Sequence, residues 1–166
     1  MHVEDAIKKS IAKEIYLSIL DVSFSHTGGS IAIIDKEYTE KVKNEYIFRD
    51  DLDRVDQKDE KKQILKRLIE AGVGNEYRLF HILDRKLRQD LLSLDGATVI
   101  DSYGKILSIG SIVKISGGSD EGGRTAATKQ LACYGLGIKV SEDGHITAYG
   151  RNKDEPSYIE KVFTLF

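Results

Sequence analysis

The residues from Ser116 to Thr125 carry the densest set of groups suited to binding an anion. The segment reads Ser-Gly-Gly-Ser-Asp-Glu-Gly-Gly-Arg-Thr, follows the apolar run 106–115 and precedes the helix-forming residues 126–132. A glycine-rich loop that leads into a helix offers unpaired backbone N–H groups and the positive end of the helix dipole to an anion. Arg124 adds a guanidinium whose geometry matches phosphate oxygens. We therefore predict an anion site here, the alternative being an ordinary strand-to-helix connection.

An aspartate and a pair of glycines elsewhere in the chain indicate two further parts of such a site. Asp95 and Gly96 lie between a predicted helix and a predicted strand. A carboxylate at that position can bind Mg²⁺ or Mn²⁺ when phosphate oxygens complete the coordination shell. Gly28 and Gly29 precede the first apolar run, and glycines let a flat base or a sugar pass close to the backbone. Each motif taken alone also fits a plain turn.

Other catalytic classes lack their residues in this sequence. Cys133 is the only cysteine, which excludes an internal disulfide and a cysteine-based zinc site and fits a reducing cytosol. The histidines, His2, His26, His81 and His145, have no ligand spacing, and the chain contains neither a Walker-type phosphate loop nor a nucleophile elbow. We interpret Cys133 as a small apolar residue of a helix and His26 as a hydrogen-bonded loop residue.

The composition fits one ordinary globular domain over residues 1–166. The chain is 40% hydrophobic and 31% charged, and its net charge of −2 offers no basic field to a nucleic acid polymer or an anionic membrane. No apolar run approaches the ~20 residues that span a bilayer, and the charged N-terminus does not resemble a secretory signal. We therefore expect a cytoplasmic domain, with any membrane anchor or effector domain outside this chain.

The elements that must position these residues follow from hydrophobic spacing. Apolar residues recur at helical spacing in several stretches, and short apolar runs bounded by turns indicate strands. The predicted helices are 6–19, 56–71, 76–94 and 125–134, and the predicted strands are 30–34, 97–100, 105–109, 137–141 and 145–149. Residues 112–115 are predicted either to extend the strand 105–109 or to add another. We also expect a short strand near 46–48, whereas 158–166 is apolar but fits no particular element. This order predicts an α/β domain with a mixed β-sheet surrounded by helices.

The order and separation of three motifs resemble the diadenylate cyclase domain family. The motifs are the Gly28-Gly29 turn before an early strand, Asp95-Gly96-Ala97 at the start of the hairpin 95–106, and the glycine loop that ends in Arg124-Thr125-Ala126-Ala127. The later hairpin 140–146 also fits the end of that family's domain. The resemblance covers about residues 15 to 150 and is strongest from Leu94 onward.

The resemblance implies a pocket for an adenine nucleotide on one face of the sheet. Members of the family condense two ATP molecules into cyclic di-AMP and release pyrophosphate, with a divalent metal and two protomers that face one another. By position, Asp95 matches the metal-associated catalytic aspartate, and Arg124 falls at the end of the phosphate-binding Arg-His-Arg segment. The residues implied to bind the nucleotide are Gly28, Gly29, Leu94, Gly96, Ala97, Gly122, Gly123 and Thr125.

The sequence departs from the family where active members carry Arg-His-Arg. This chain reads Gly122-Gly123-Arg124, so one cation remains. Attack of a 3′-hydroxyl on an α-phosphate builds charge on the leaving pyrophosphate, and several fixed cations are needed to stabilise that transition state. Substitutes would have to come from residues such as Lys114 or Lys129, which no sequence argument places in the pocket.

Three functions follow from this departure. We expect a sensor that binds ATP or a cyclic dinucleotide with little or no turnover, because binding tolerates the loss of cations better than catalysis does. An active diadenylate cyclase that uses Mg²⁺ or Mn²⁺ is the main alternative, and a purely structural interaction domain is the third. A homo-oligomer, or a fused or paired effector, is the expected assembly.

Overall fold

The computed structural model describes residues 3–56, 58–71, 78–115, 122–152, 155 and 158–165. Along these ranges, the chain forms five helices and six strands. The helices are α1 (Val3–Ser25), α2 (Thr39–Glu45), α3 (Glu60–Ala71), α4 (Arg85–Leu92) and α5 (Gly123–Ala132). The strands are β1 (Gly29–Ile34), β2 (Ala97–Asp101), β3 (Ile106–Ser111), β4 (Gly135–Val140), β5 (Ile146–Arg151) and β6 (Ile159–Leu165). They follow one another in the order α1, β1, α2, α3, α4, β2, β3, α5, β4, β5, β6. Two short 3-10 turns, Lys36–Tyr38 and Phe80–Ile82, precede α2 and α4.

These strands form one mixed sheet in the order β3-β2-β1-β4-β5-β6. Strands β1 and β2 are parallel, with Ile31 opposite Thr98, and the other neighbouring pairs are antiparallel. The starts of β1 and β2 therefore lie at the same edge of the sheet as the ends of β3 and β4. The predicted residues that precede β1 and β2 are brought together at this edge.

Two apolar cores lie on opposite faces of the sheet, because side chains alternate along each strand. On β1, Ile31 belongs to the first core and Ala32 to the second. The first core packs α1, α3 and α4 against the sheet, and the second packs α2 and α5 against the other face. The predicted architecture, a single α/β domain with a mixed sheet covered by helices, is confirmed.

A buried arginine joins α1 to α4. Arg88 is 5% exposed and donates hydrogen bonds to Glu14 Oε2 at 2.5 Å, to Ser18 Oγ at 3.0 Å and to the carbonyl oxygen of Leu83 at 2.6 Å. Burying a charge is costly unless it is paired and hydrogen-bonded, and this guanidinium meets both conditions. The network fixes α4, whose C-terminal end leads directly to Asp95.

Helix α1 is the longest helix within the described ranges, with 23 residues, and Glu4, Asp5 and Lys8 interrupt its apolar positions. None of the helices that the structure describes has the length and apolar character needed to cross a bilayer.

The prediction of a strand near 46–48 is wrong. The backbone N–H groups of Tyr46 and Ile47 both donate to the carbonyl oxygen of Val42, so the segment closes the C-terminal end of α2. The apolar pattern at this position is explained by packing, since the side chain of Ile47 is buried in the second core. The strand predicted at 112–115 is also absent, since β3 ends at Ser111 and these four residues belong to no strand.

Of the helix predicted at 76–94, residues 76–77 lie outside the described residues, and only part of the remainder is helical. Leu79 forms a bridge to Lys105, the 3-10 turn follows, and α4 begins only at Arg85. Asp84 determines this start, because its carboxylate accepts hydrogen bonds from the backbone N–H groups of Lys86 and Leu87. The helix predicted at 56–71 similarly begins at Glu60, and the unassigned end of the chain contains β6.

Candidate functional site

A cavity of about 780 Å³ opens at the sheet edge where β1 and β2 begin. Its lining comes from 95–96, from 111–113 and 115 at and after the end of β3, from 122–125 and 127 at the start of α5, and from 139–143 at and after the end of β4. Two of the three predicted motifs, Asp95-Gly96 and Gly122 to Thr125, therefore line one cavity. The part of the predicted glycine loop from Ser116 to Glu121 lies outside the described residues.

The position of Asp95 is set by close backbone packing around Gly96. A Cβ atom on Gly96, whose φ is +96°, would lie 2.6 Å from both the carbonyl carbon of Gly110 and the carbonyl oxygen of Ser111. This contact requires glycine and holds the start of β2 against the end of β3. Ser30 Oγ on β1 also donates to the carbonyl oxygen of Gly96 at 3.2 Å. The exposed carboxylate of Asp95 is thus presented to the cavity from a fixed backbone.

Arg124 connects the Gly28-Gly29 turn to the same cavity. Its side chain is 27% exposed, and its Nη1 atom lies 3.6 Å from Glu142 Oε1. A Cβ atom on Gly28 would lie only 2.7 Å from Arg124 Nη1, so the guanidinium passes directly over the Gly28 backbone. Gly28 is not itself a lining residue, but it borders the cavity through Arg124.

Three other residues predicted to bind the nucleotide lie behind the cavity wall. Gly29 packs against α4, because its Cβ position is 2.4 Å from the carbonyl oxygen of Leu92. Leu94 is partly buried against the first core, and Ala97 is 1% exposed in the second core. In contrast, Gly122 and Gly123 are exposed lining residues, and Cβ atoms added to them would meet no described atom within 4 Å.

Lys139 is a lining residue that sequence analysis missed. It lies on β4 opposite Ser30, and its Nζ donates to Thr125 Oγ1 at 2.8 Å. Because Ile138 and Val140 face the first core, alternation along the strand directs Lys139 to the face that α5 covers. This alternation is the one sequence signal that indicated where Lys139 points.

The two lysines considered as substitute cations lie elsewhere. Lys114 Nζ is 4.0 Å from the centroid of the Phe48 ring, and Lys129 Nζ is 5.4 Å from that of Tyr149. Neither residue lines the cavity.

The cavity carries charges of both signs. Among the described lining residues, the cations are Arg124 and Lys139, and the carboxylates are Asp95, Glu142 and Asp143. The backbone N–H of His145 donates to the Asp143 carboxylate, and the His145 side chain also bonds to it; both contacts lower the pKa of Asp143. An anionic ligand is therefore best accommodated here together with a divalent cation that offsets the carboxylates.

The donor set fits a metal that enters with its ligand rather than a preformed metal site. The described ranges hold no group of three or more His, Cys, Asp or Glu side chains arranged to bind a metal ion. Asp95 offers a hard oxygen ligand, which suits Mg²⁺ or Mn²⁺, and the remaining positions would go to phosphate oxygens and water. Cys133 is half-buried outside this cavity, and burial raises the pKa of its thiol, which disfavours a thiolate nucleophile.

Comparison with known proteins supports the fold alone. No family model matches the chain, and no curated protein matches it. Among solved structures, a hypothetical membrane-spanning protein from Bacillus cereus is similar with a TM-score of 0.56 at 15% identity. The match covers 92% of this chain and 63% of that one, so this chain spans less than two thirds of that protein's length. DacA from Staphylococcus aureus, determined as a double mutant, matches with a TM-score of 0.48 at 16% identity, over 96% of this chain and 88% of that one.

Proposed function

We propose that this chain is a nucleotide-binding domain of the diadenylate cyclase type, and that it binds an adenine nucleotide or a cyclic dinucleotide as a sensor. The observation that supports the proposal is that Asp95 and Arg124, far apart in the sequence, line one cavity at the sheet edge. A carboxylate for a metal and a guanidinium for phosphate are the two groups that the motif resemblance implies. In the first turn of α5, the backbone N–H groups of Gly123 and Arg124 have no hydrogen-bond partner among the described residues, and they belong to the same wall.

Low turnover follows from the composition of this wall. Gly122 and Gly123 occupy the positions at which active family members carry an arginine and a histidine. Fixed cations contribute several kcal/mol each to transition-state stabilisation when they are preorganised, so their loss slows condensation by orders of magnitude. Binding of a phosphate in the ground state loses less, because Arg124 and backbone N–H groups can still hold it.

A divalent metal, the class of ligand and the assembly complete the proposed function. Mg²⁺ or Mn²⁺ would enter with the phosphates and bind to Asp95. The ligand would be ATP or a cyclic dinucleotide rather than a nucleic acid polymer, and we place the domain in the cytoplasm as a homo-oligomer or paired with an effector.

An active diadenylate cyclase is the second candidate, and one observation favours it. Lys139 brings a second cation to the cavity that Arg124 lines. In an active enzyme Asp95 would hold the metal that activates the attacking hydroxyl, and the two cations would stabilise the leaving pyrophosphate.

Calorimetric titration with ATP and with cyclic di-AMP, each with and without Mg²⁺, tests the sensor function. We expect saturable binding of at least one of the two, and Mg²⁺ should strengthen the binding of ATP because it offsets the carboxylates of the cavity. The absence of binding to both ligands would contradict the proposal.

Incubation with ATP and Mn²⁺ followed by chromatography separates the two candidates. A sensor forms no detectable cyclic di-AMP under conditions in which ATP binds. Formation of cyclic di-AMP that is lost in Asp95→Asn would instead establish the enzyme.

A further inference from the structure

We propose that Lys139 is a phosphate-binding residue and that, together with Arg124, it makes the cavity selective for ligands with more than one phosphoryl group. This inference rests on the proposed function, because it assigns the part of the nucleotide that the site reads. The two cations line the same cavity but approach it from different walls. Lys139 belongs to β4, and Arg124 belongs to the first turn of α5.

The neighbouring contacts show how the two cations are separated. Arg124 and Thr125 are consecutive, yet Arg124 extends toward Gly28 and Glu142, whereas Thr125 receives the hydrogen bond from Lys139. Successive residues of a helix point about 100° apart, so the side chains of Arg124 and Thr125 point to different parts of the cavity. Lys139 lies in the part to which Thr125 points. A chain of phosphoryl groups can contact both Arg124 and Lys139. A single phosphoryl group has fewer oxygens and gains less from the second cation.

The charge of Lys139 is not offset within the part of the chain that the structure describes. Arg124 has a carboxylate partner in Glu142, but Lys139 has no carboxylate within ion-pair distance among the described residues. An ammonium has three donors, and one of them is used on Thr125 Oγ1, so two have no partner among the described residues and can serve a ligand. A half-buried cation without a counter-charge is unfavourable, and an anionic ligand would relieve that cost.

Removal of the Lys139 charge should change which phosphate ligands the cavity prefers. Charge-assisted hydrogen bonds are the strong ones, so Lys139→Gln should weaken the binding of ATP and of inorganic tripolyphosphate by about tenfold or more. The affinity for AMP should fall by less than about threefold, because Arg124 alone can hold its one phosphoryl group. Lys139→Arg keeps the charge and should retain most of the preference for ATP over AMP.

The test is calorimetric titration of the full chain and its variants with ATP, AMP and inorganic tripolyphosphate in the presence of Mg²⁺. Lys129→Gln is the matched control, because it also removes one lysine charge, but from α5 and at a residue that does not line the cavity. This variant should bind all three ligands with the affinities of the unmodified chain. Thermal unfolding of each variant reports whether the fold is kept. If Lys139→Gln does not fold, Lys139→Met replaces it, because Met keeps the aliphatic stem against α5.

The outcomes separate this inference from the function on which it rests. Unchanged ATP affinity in Lys139→Gln overturns the inference and leaves nucleotide binding intact. An equal loss for ATP and AMP shows that Lys139 only supports α5 through Thr125, and this also overturns it. If the unmodified chain binds tripolyphosphate through Lys139 but binds no nucleotide, the proposed function fails and the phosphate site stands. If it binds none of the probes, both fail.

Discussion

Replacement of Arg124 by glutamine should weaken ATP binding by about 100-fold without unfolding the domain. Charge-assisted hydrogen bonds from a guanidinium to phosphate are worth about 1.5–3 kcal/mol, and about 2.7 kcal/mol corresponds to 100-fold in affinity. The substitution also leaves Glu142, whose Oε1 lies 3.6 Å from Arg124 Nη1, without its cation at the cavity. Both effects act in the same direction, because the unpaired carboxylate repels the phosphates. Calorimetric titration with ATP and Mg²⁺ measures the change.

Arg85→Gln provides the matched control for this prediction. Arg85 is an exposed arginine that pairs with Asp21 at 2.6 Å and does not line the cavity. The control variant should bind ATP as the unmodified chain does. An Arg124→Gln variant that binds ATP with unchanged affinity would show that the nucleotide phosphates are held elsewhere.

Replacement of Gly29 by alanine should destabilise the fold by about 3 kcal/mol, near the upper end of overpacking effects. The added Cβ atom would lie 2.4 Å from the carbonyl oxygen and 3.1 Å from the carbonyl carbon of Leu92. Both are backbone atoms at the end of α4, so relief requires a shift of α4 or of β1 rather than a change of rotamer. Urea unfolding followed by circular dichroism measures the loss in free energy of unfolding.

Gly123→Ala is the control for Gly29→Ala, because it also replaces a glycine by alanine but at a position without close packing. A Cβ atom on Gly123 meets no described atom within 4 Å, and Gly123 is the first residue of α5, where the preference for alanine is smaller than the value of about 1 kcal/mol found inside a helix. This variant should be as stable as the unmodified chain or slightly more stable. If Gly29→Ala unfolds at the same urea concentration as the unmodified chain, Gly29 is not a packing residue. A loss of ATP affinity without unfolding would then support the original prediction that Gly29 contacts the nucleotide.

The elements that the sequence predicts correctly are those with local signals. Helix α1 follows from apolar residues at helical spacing, and the β2–β3 and β4–β5 hairpins follow from apolar runs on either side of short turns. In each case the residues that determine the element are neighbours in the chain. The parallel pairing of β1 with β2 places the turn at Gly28 beside Asp95, and the antiparallel pairing of β2 with β3 places the end of β3 at the same edge, where Asp95 and Arg124 line one cavity.

The features that the sequence did not reveal depend on contacts between distant residues. The apolar residues near Ile47 satisfy the pattern of a strand, but they are buried because the end of α2 packs on the second core. Ala97 lies beside Asp95 in the motif, yet the start of β2 directs its side chain into the core rather than the cavity. Lys139 has no spacing motif, and its role depends on how β4 and α5 pack together.

A crystal structure of the chain with a non-hydrolysable ATP analogue and Mg²⁺ would show whether Asp95 and Arg124 define the nucleotide site. We predict phosphate oxygens within hydrogen-bond distance of Arg124 and Lys139, with the metal bound to Asp95. A second, largely apolar cavity of about 820 Å³ lies between α1 and the sheet, lined by residues such as Ile15 and Phe163. A nucleotide bound there, with the cavity at Asp95 empty, would contradict the account.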